Sequence, residues 1–175
     1  MKDYGFIFRD DKKMKKKAKK ISELTKDVSE YLSENFNLKF QNKEKKLRIA
    51  YHSACSMQHG QKVHSQPIDL LSKTKNEILE IPDGHLCCGS AGTYNILQPK
   101  IAKQLLKDKV KNIEGLKPEI IATGNIGCIT QISNGTNIPI VHTIEILDWY
   151  TGGPKPNLLI SVSYTHLTLP TILLV

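Results

Sequence analysis

Apolar positions change their period along the chain. In the first fifth, Ile21, Leu24, Val28, Tyr31 and Leu32 recur at helical spacing and predict one helix from about Asp10 to Glu34, ended by Asn35 and Asn37. A charged connection, Lys39–Lys46, follows. From there short apolar runs alternate with helical patterns. Leu47–His52, Glu77–Ile81, Glu119–Thr123 and Pro139–His142 read as strands. Gln66–Ser72, Thr93–Leu116, Ile126–Ser133 and Ile144–Tyr150 read as helices, with Ile96, Leu97, Ile101, Leu105, Val110 and Ile113 on the inner face of the longest. This alternation predicts an α/β fold: a mostly parallel sheet with helices on both faces, Rossmann-like in its winding and preceded by an N-terminal helix.

Three regions result: a basic helix and linker over 1–46, an α/β domain over 47–150 and a tail over 151–175. The tail is apolar and β-prone, with no charged residue beyond Lys155. An exposed strand of that kind aggregates, and Ser161–Val175 is read as non-native sequence resembling translated adapter DNA.

Composition narrows the partners. The 175 residues carry a formal charge of +8. Residues 1–46 hold 14 Lys+Arg against 8 Asp+Glu, and the remainder 11 against 9, so the excess sits in the N-terminal arm. The run Lys12–Lys20 reads as the solvated face of a helix, with an acidic partner or a membrane surface as the other reading. No aromatic interleaving accompanies it, so nucleic acid is not an expected partner. No apolar run reaches about 18 residues and the N-terminus has no h-region. The expected location is cytoplasmic, where thiols stay reduced.

The four cysteines carry the chemistry. Cys55 follows the first strand, Cys87 and Cys88 lie in the loop after the second, and Cys128 follows the third. All four fall on the carboxyl edge of the expected sheet, where open α/β folds bind ligands. Thiolates select zinc, copper(I) or iron–sulfur iron. Adjacent cysteines make a strained disulfide, yet both can face a centre with several iron atoms. Gly89 and Gly92 let the backbone approach such a core and donate N–H bonds to sulfur; Gly127 offers the same beside Cys128. The helix expected from Thr93 points its positive end at this loop. A tetrahedral Cys₄ zinc site is the rival, although C-x-x-C spacing is missing. A nucleophilic thiol at Cys87 or Cys88 ranks last, since no Cys-His-Asn pattern supports it. His59 and His85 are the histidines expected to donate a hydrogen bond to sulfur, ahead of His52, His64 and His142; Gln58 and Asn125 are candidate polar groups of the pocket. The Gly89–Gly92 stretch lacks the spacing and lysine of a phosphate loop.

The string His85-Leu86-Cys87-Cys88-Gly89-Ser90-Ala91-Gly92-Thr93-Tyr94-Asn95-Ile96-Leu97-Gln98-Pro99, with Tyr51-His52, Cys55, Gln58-His59-Gly60-Gln61 and Thr123-Gly124-Asn125-Ile126-Gly127-Cys128, resembles the iron–sulfur subunits of glycolate oxidase. More broadly these are marks of the cysteine-rich CCG domain, found also in heterodisulfide reductase and lactate-utilisation proteins. The resemblance runs from about Lys2 to Trp149. It implies an electron-transfer subunit of an FAD-linked glycolate dehydrogenase, with the flavin on partner subunits and electrons passing toward a membrane acceptor. A cluster of the 4Fe-4S type on Cys55, Cys87, Cys88 and Cys128 is the implied cofactor, and a peripheral position on the inner face of the membrane the implied place. The alternative is a structural module whose Cys₄ zinc site docks the flavin subunits. Family members begin with ferredoxin-like modules and a first CCG repeat, and the Lys2-Asp3-Tyr4-Gly5 stretch follows that repeat. The chain is therefore read as a C-terminal fragment without a complete active site. Many CCG domains end in C-x-x-C; here Gln131 takes the last position, as in the glycolate subunits.

Overall fold

The computed structural model describes residues 1–41 and 45–160. The expectation for Ser161–Val175 lies outside the described residues. The N-terminal region holds three helices, α1 (Tyr4–Ile7), α2 (Lys15–Leu24) and α3 (Val28–Asn35). The single helix expected over Asp10–Glu34 is therefore broken. Thr25 is extended (ψ 117°) and Asp27 is extended too (ψ 152°). Asp27 Oδ1 accepts the Ser29 N–H at 2.9 Å, and Glu30 Oε2 accepts the Asp27 N–H at 2.7 Å. This capping box starts a new helix and contributes about 1 kcal/mol. The expected apolar stripe is not a buried face. Leu24 is 70% exposed, Ile21, Val28 and Tyr31 are exposed as well, and Leu32 is the one of the five that packs against the core.

The sheet has four parallel strands, β1 (Arg48–His52), β2 (Glu77–Glu80), β3 (Ile120–Thr123) and β4 (Ile140–His142), in the order β2-β1-β3-β4. Between them run α4 (Gln66–Ser72), α5 (Tyr94–Leu97), α6 (Pro99–Gly115) and α7 (Ile126–Ser133), and α8 (Thr143–Thr151) follows β4. The α/β class is as the alternation predicts. The long helix expected over Thr93–Leu116 is divided, because Gln98 leaves helical geometry (φ −129°, ψ 59°) and Pro99, which has no N–H to donate, opens α6. The inner face shifts accordingly. Ile96 and Leu97 on α5 are 75% and 70% exposed, and Ile101 is exposed. The buried positions of α6 are Ala102, Lys109, Val110 and Ile113.

Side chains of a strand alternate between faces. On one face Ala50, Ile121 and Ile140 pack with Val110, Ile113 and Ile132 of α6 and α7, and with Cys88 and Cys128. On the other Ile49, Tyr51, Ile120, Ala122 and Val141 pack with Leu70 and Leu71 of α4 and with Ile146, Leu147 and Tyr150 of α8. His142 starts α8: its Nδ1 accepts the Ile144 N–H and its own N–H donates to Glu145. That is a capping role, not a ligand role.

The strand order has a consequence for function. From β1 the chain turns outward to β2, then crosses back to β3 on the other side of β1. The switch point lies between β1 and β3, where the connections leave in opposite directions and open a crevice at the carboxyl ends. His52 and Thr123, the last residues of β1 and β3, stand opposite each other there. Just beyond β1 is a feature the sequence pattern did not suggest, a π-helical turn over Ser56–Gln61 closed by Lys62 at φ +57°. Such turns occur often at functional sites.

Candidate metal centre

All four thiols are free and reach this edge. Cys55 directly precedes the π-helical turn, Cys87 and Cys88 lie in the loop between β2 and α5, and Cys128 sits in the first turn of α7. Cys88 and Cys128 are buried, at 1% and 4% exposure; Cys55 and Cys87 are half-buried. The sulfurs of Cys88 and Cys128 lie within 4.8 Å of each other, and Cys87 is influenced by both Cys88 and Cys55.

Local chemistry fixes each position. Asn125 caps α7, its Oδ1 accepting the N–H groups of Gly127 (2.8 Å) and Cys128 (3.2 Å), so Cys128 is presented from an anchored helix start. Gly89 has φ +95°, and a Cβ there would stand 2.4 Å from the Ala102 carbonyl oxygen. The Cys-Cys-Gly loop thus presses directly on α6, a contact only glycine permits. The Gly89 N–H donates to Cys87 Sγ at 3.3 Å. Gln131 closes the floor of the loop, its Oε1 accepting from Asn95 Nδ2 at 3.3 Å. The Gln58 amide donates to the carbonyls of Ser53 and Gly84, tying the π-helical turn to the next loop.

His59 and His85 are exposed and stand together, with His59 Nε2 3.5 Å from the His85 carbonyl. The histidine buried among the thiols is His52, at 2% exposure. Both its ring nitrogens are buried without a hydrogen bond of normal geometry among the described residues, the Cys88 sulfur being the group His52 acts on, and Thr123 Oγ1 opposite it is buried and unpartnered too. One His52 nitrogen and the sulfurs of Cys88 and Cys128 lie within 4.8 Å of one another. A buried imidazole with no partner is costly, and its position among sulfurs suits a metal. The expected long helix dipole is absent from the design of this site, because α5 has four residues.

The thiols of the site shift in opposite directions. The Cys88 thiol is pulled well below the usual thiol range, first by the hydrogen bond from Cys128, then by His52 and the Ser90 backbone N–H, against the opposing effect of burial. The same bond, with burial, pushes Cys128 up. Burial also raises Cys87, opposed by the Gly89 N–H and assisted by Cys88 and Cys55. Cys88 and Cys128 interact directly, and both must be free of protons when both sulfurs bind a metal. Burial of Cys88 argues against a nucleophilic role, which needs an accessible thiolate. Four convergent thiols fit an iron–sulfur cluster by donor type and number, and the Cys88–Cys128–His52 group fits a zinc ion.

Residues 49–133 match the family profile described as cysteine-rich domain, CCG. The chain carries a CCG cysteine-rich domain.

The chain is 37% identical over 148 residues to the glycolate oxidase iron-sulfur subunit of Escherichia coli (strain K12), covering 85% of this chain and 36% of that protein. It is 27% identical to lactate utilization protein A of Oceanobacillus iheyensis over 87% of this chain and 65% of that protein. Against the lactate utilization protein A of Bacillus subtilis (strain 168) the figures are 26%, 83% and 64%. The chain thus spans about a third to two thirds of the length of these curated relatives. No described helix is long and apolar enough to cross a membrane.

Two residues of this CCG domain outrun the sequence reading. The sequence favours His59 and His85 over His52, while the histidine buried beside the thiols is His52. Its place two residues after Ala50 puts it on the α6–α7 face, and that parity was readable. Lys109 stands seven residues after Ala102 and therefore on the same helical face.

Proposed function

We propose that the CCG domain holds an iron–sulfur cluster on Cys55, Cys87, Cys88 and Cys128. In this reading the chain is the electron-carrying part of an oxidoreductase that withdraws electrons from a 2-hydroxy acid, glycolate, at a flavin on partner subunits. The observation that carries the reading is the convergence of four thiols and an unpartnered buried imidazole at the switch point of the sheet. The similarity to a glycolate oxidase iron-sulfur subunit supports the substrate.

When bound, the cluster supplies one-electron transfer. The chain's own residues hold it, shield it and set its surroundings. Burial of Cys88 and Cys128 keeps water from that side. The backbone N–H groups of Gly89 and Ser90 donate to the Cys87 and Cys88 sulfurs, stabilising added negative charge and so favouring the reduced state. Electrons leave toward a membrane acceptor, and the Lys12–Lys20 run offers a contact to an acidic partner or to the membrane surface on the cytoplasmic side.

A second reading has its own observation. The 4.8 Å grouping of His52, Cys88 and Cys128 is the spacing of ligands around one ion. A zinc site there would make the domain a structural module that docks the flavin subunits.

The test is electron delivery. The anaerobically isolated chain is mixed with the purified flavoprotein partner and glycolate, and its visible absorbance is followed. Bleaching that depends on glycolate and is lost in Cys88→Ser supports the function. An unchanged spectrum in a chain that holds iron and sulfide would overturn it.

A further inference from the structure

Lys109 is 2% exposed in the middle of α6. Lysine is almost never buried to this extent without a paired charge. Its ammonium can donate three hydrogen bonds, and one goes to the Asp83 backbone carbonyl at 2.8 Å. No carboxylate lies within 4.0 Å of it among the described residues. What it faces is the thiol site. Lys109 and Cys87 line one cleft of about 290 Å³, which Asp83, Leu86, Asp108 and Lys111 also line. Ala102, two helical turns earlier on the same face, is the residue against which Gly89 packs. Burial pulls the Lys109 ammonium below the usual lysine range, and the groups that oppose this are, in order, Cys88, Asp83, Cys87 and Cys128. Three of those four are thiols of the candidate centre.

A cation in this place has a physical purpose. Four thiolates carry more negative charge than the ion or cluster core they hold, so the loaded site is anionic and expensive to bury. From these placements we infer that Lys109 is the buried counter-charge of the thiolate centre, a positioning residue that stabilises the anionic loaded site and favours its reduced state. The inference rests on the metal-centre reading and adds a charge from outside the ligand set. Lysine also ties the centre to the loop at Asp83, because the same ammonium holds that carbonyl.

The experiment compares the full chain with Lys109→Met, which keeps length and loses charge, and Lys109→Arg, which keeps charge. Iron and sulfide per chain, the midpoint potential, and the affinity of the metal-free chain for cobalt(II) are measured on each. Lys109→Met is expected to disfavour reduction at least tenfold, a fall of 59 mV for a one-electron couple, and to weaken cobalt(II) binding at least tenfold. Lys109→Arg is expected to stay within threefold of the parent on both. Should Lys109→Met not fold, Lys109→Gln provides the neutral side chain. A neutral variant with parental potential and parental cobalt(II) affinity overturns the inference. If the parent chain holds no iron or sulfide, the cluster reading fails, and the cobalt(II) comparison still decides the role of Lys109.

Discussion

The two faces of the sheet are built from the same strands and do different work. The face under α4 and α8 is filled by aliphatic side chains and Tyr150, whose hydroxyl donates to Asn76 Oδ1 at 3.0 Å. The face under α6 and α7 holds two thiols, an imidazole without a partner and a buried lysine. One face is a mainly aliphatic core, with the Tyr51 hydroxyl as a buried group without a partner among the described residues. The other leaves polar groups unpaired at the switch point, and such groups call for an explanation outside the apolar core. A metal centre gives that explanation with no further assumption about the fold.

The largest expected effect is on the site face. Cys128→Ser should reduce metal per chain to less than a tenth of the parent, measured by elemental analysis. Retention of the parental metal content would break the comparison. The next effect belongs to the plain face. Leu71, fully buried there, should cost about 2–5 kcal/mol when changed to alanine. Denaturant unfolding should register the loss, while the folded fraction keeps its metal.

His52→Leu sharpens the comparison through opposite signs. It removes two unpartnered buried nitrogens, so the metal-free chain should gain about 1–3 kcal/mol. Metal affinity should fall in the same variant. A loss of stability in the metal-free chain, with affinity unchanged, would make His52 an ordinary core residue. The smallest effect is that of Tyr150→Phe on the plain face. It deletes the bond to Asn76 and should cost about 1 kcal/mol with no change in metal content.

Much of this contrast was legible in the sequence. Short apolar runs bounded by turns gave the four strands, and the ends of α4 and α7 coincide with the pattern because Pro67 sits in the first turn of one and Asn125 caps the other. The cysteines could be placed on one edge because parallel strands all end on the same side. What the pattern hid depended on backbone geometry and on distant packing. The break at Thr25–Asp27 needed the reciprocal bonds of Asp27 and Glu30. The division at Gln98 was signalled by Pro99 and overridden by an apolar run, Ile96–Leu97, that proves exposed. His52 and Lys109 are set by contacts across strands and helices. A count of residues along the chain weighs those contacts less than the nearness of a loop histidine to a cysteine.

The most direct test is the content of iron, acid-labile sulfide and zinc per chain after anaerobic isolation. The account predicts near-equal, stoichiometric iron and sulfide, both lost in Cys128→Ser. A chain with four free thiols, no iron, no sulfide and no zinc would contradict it.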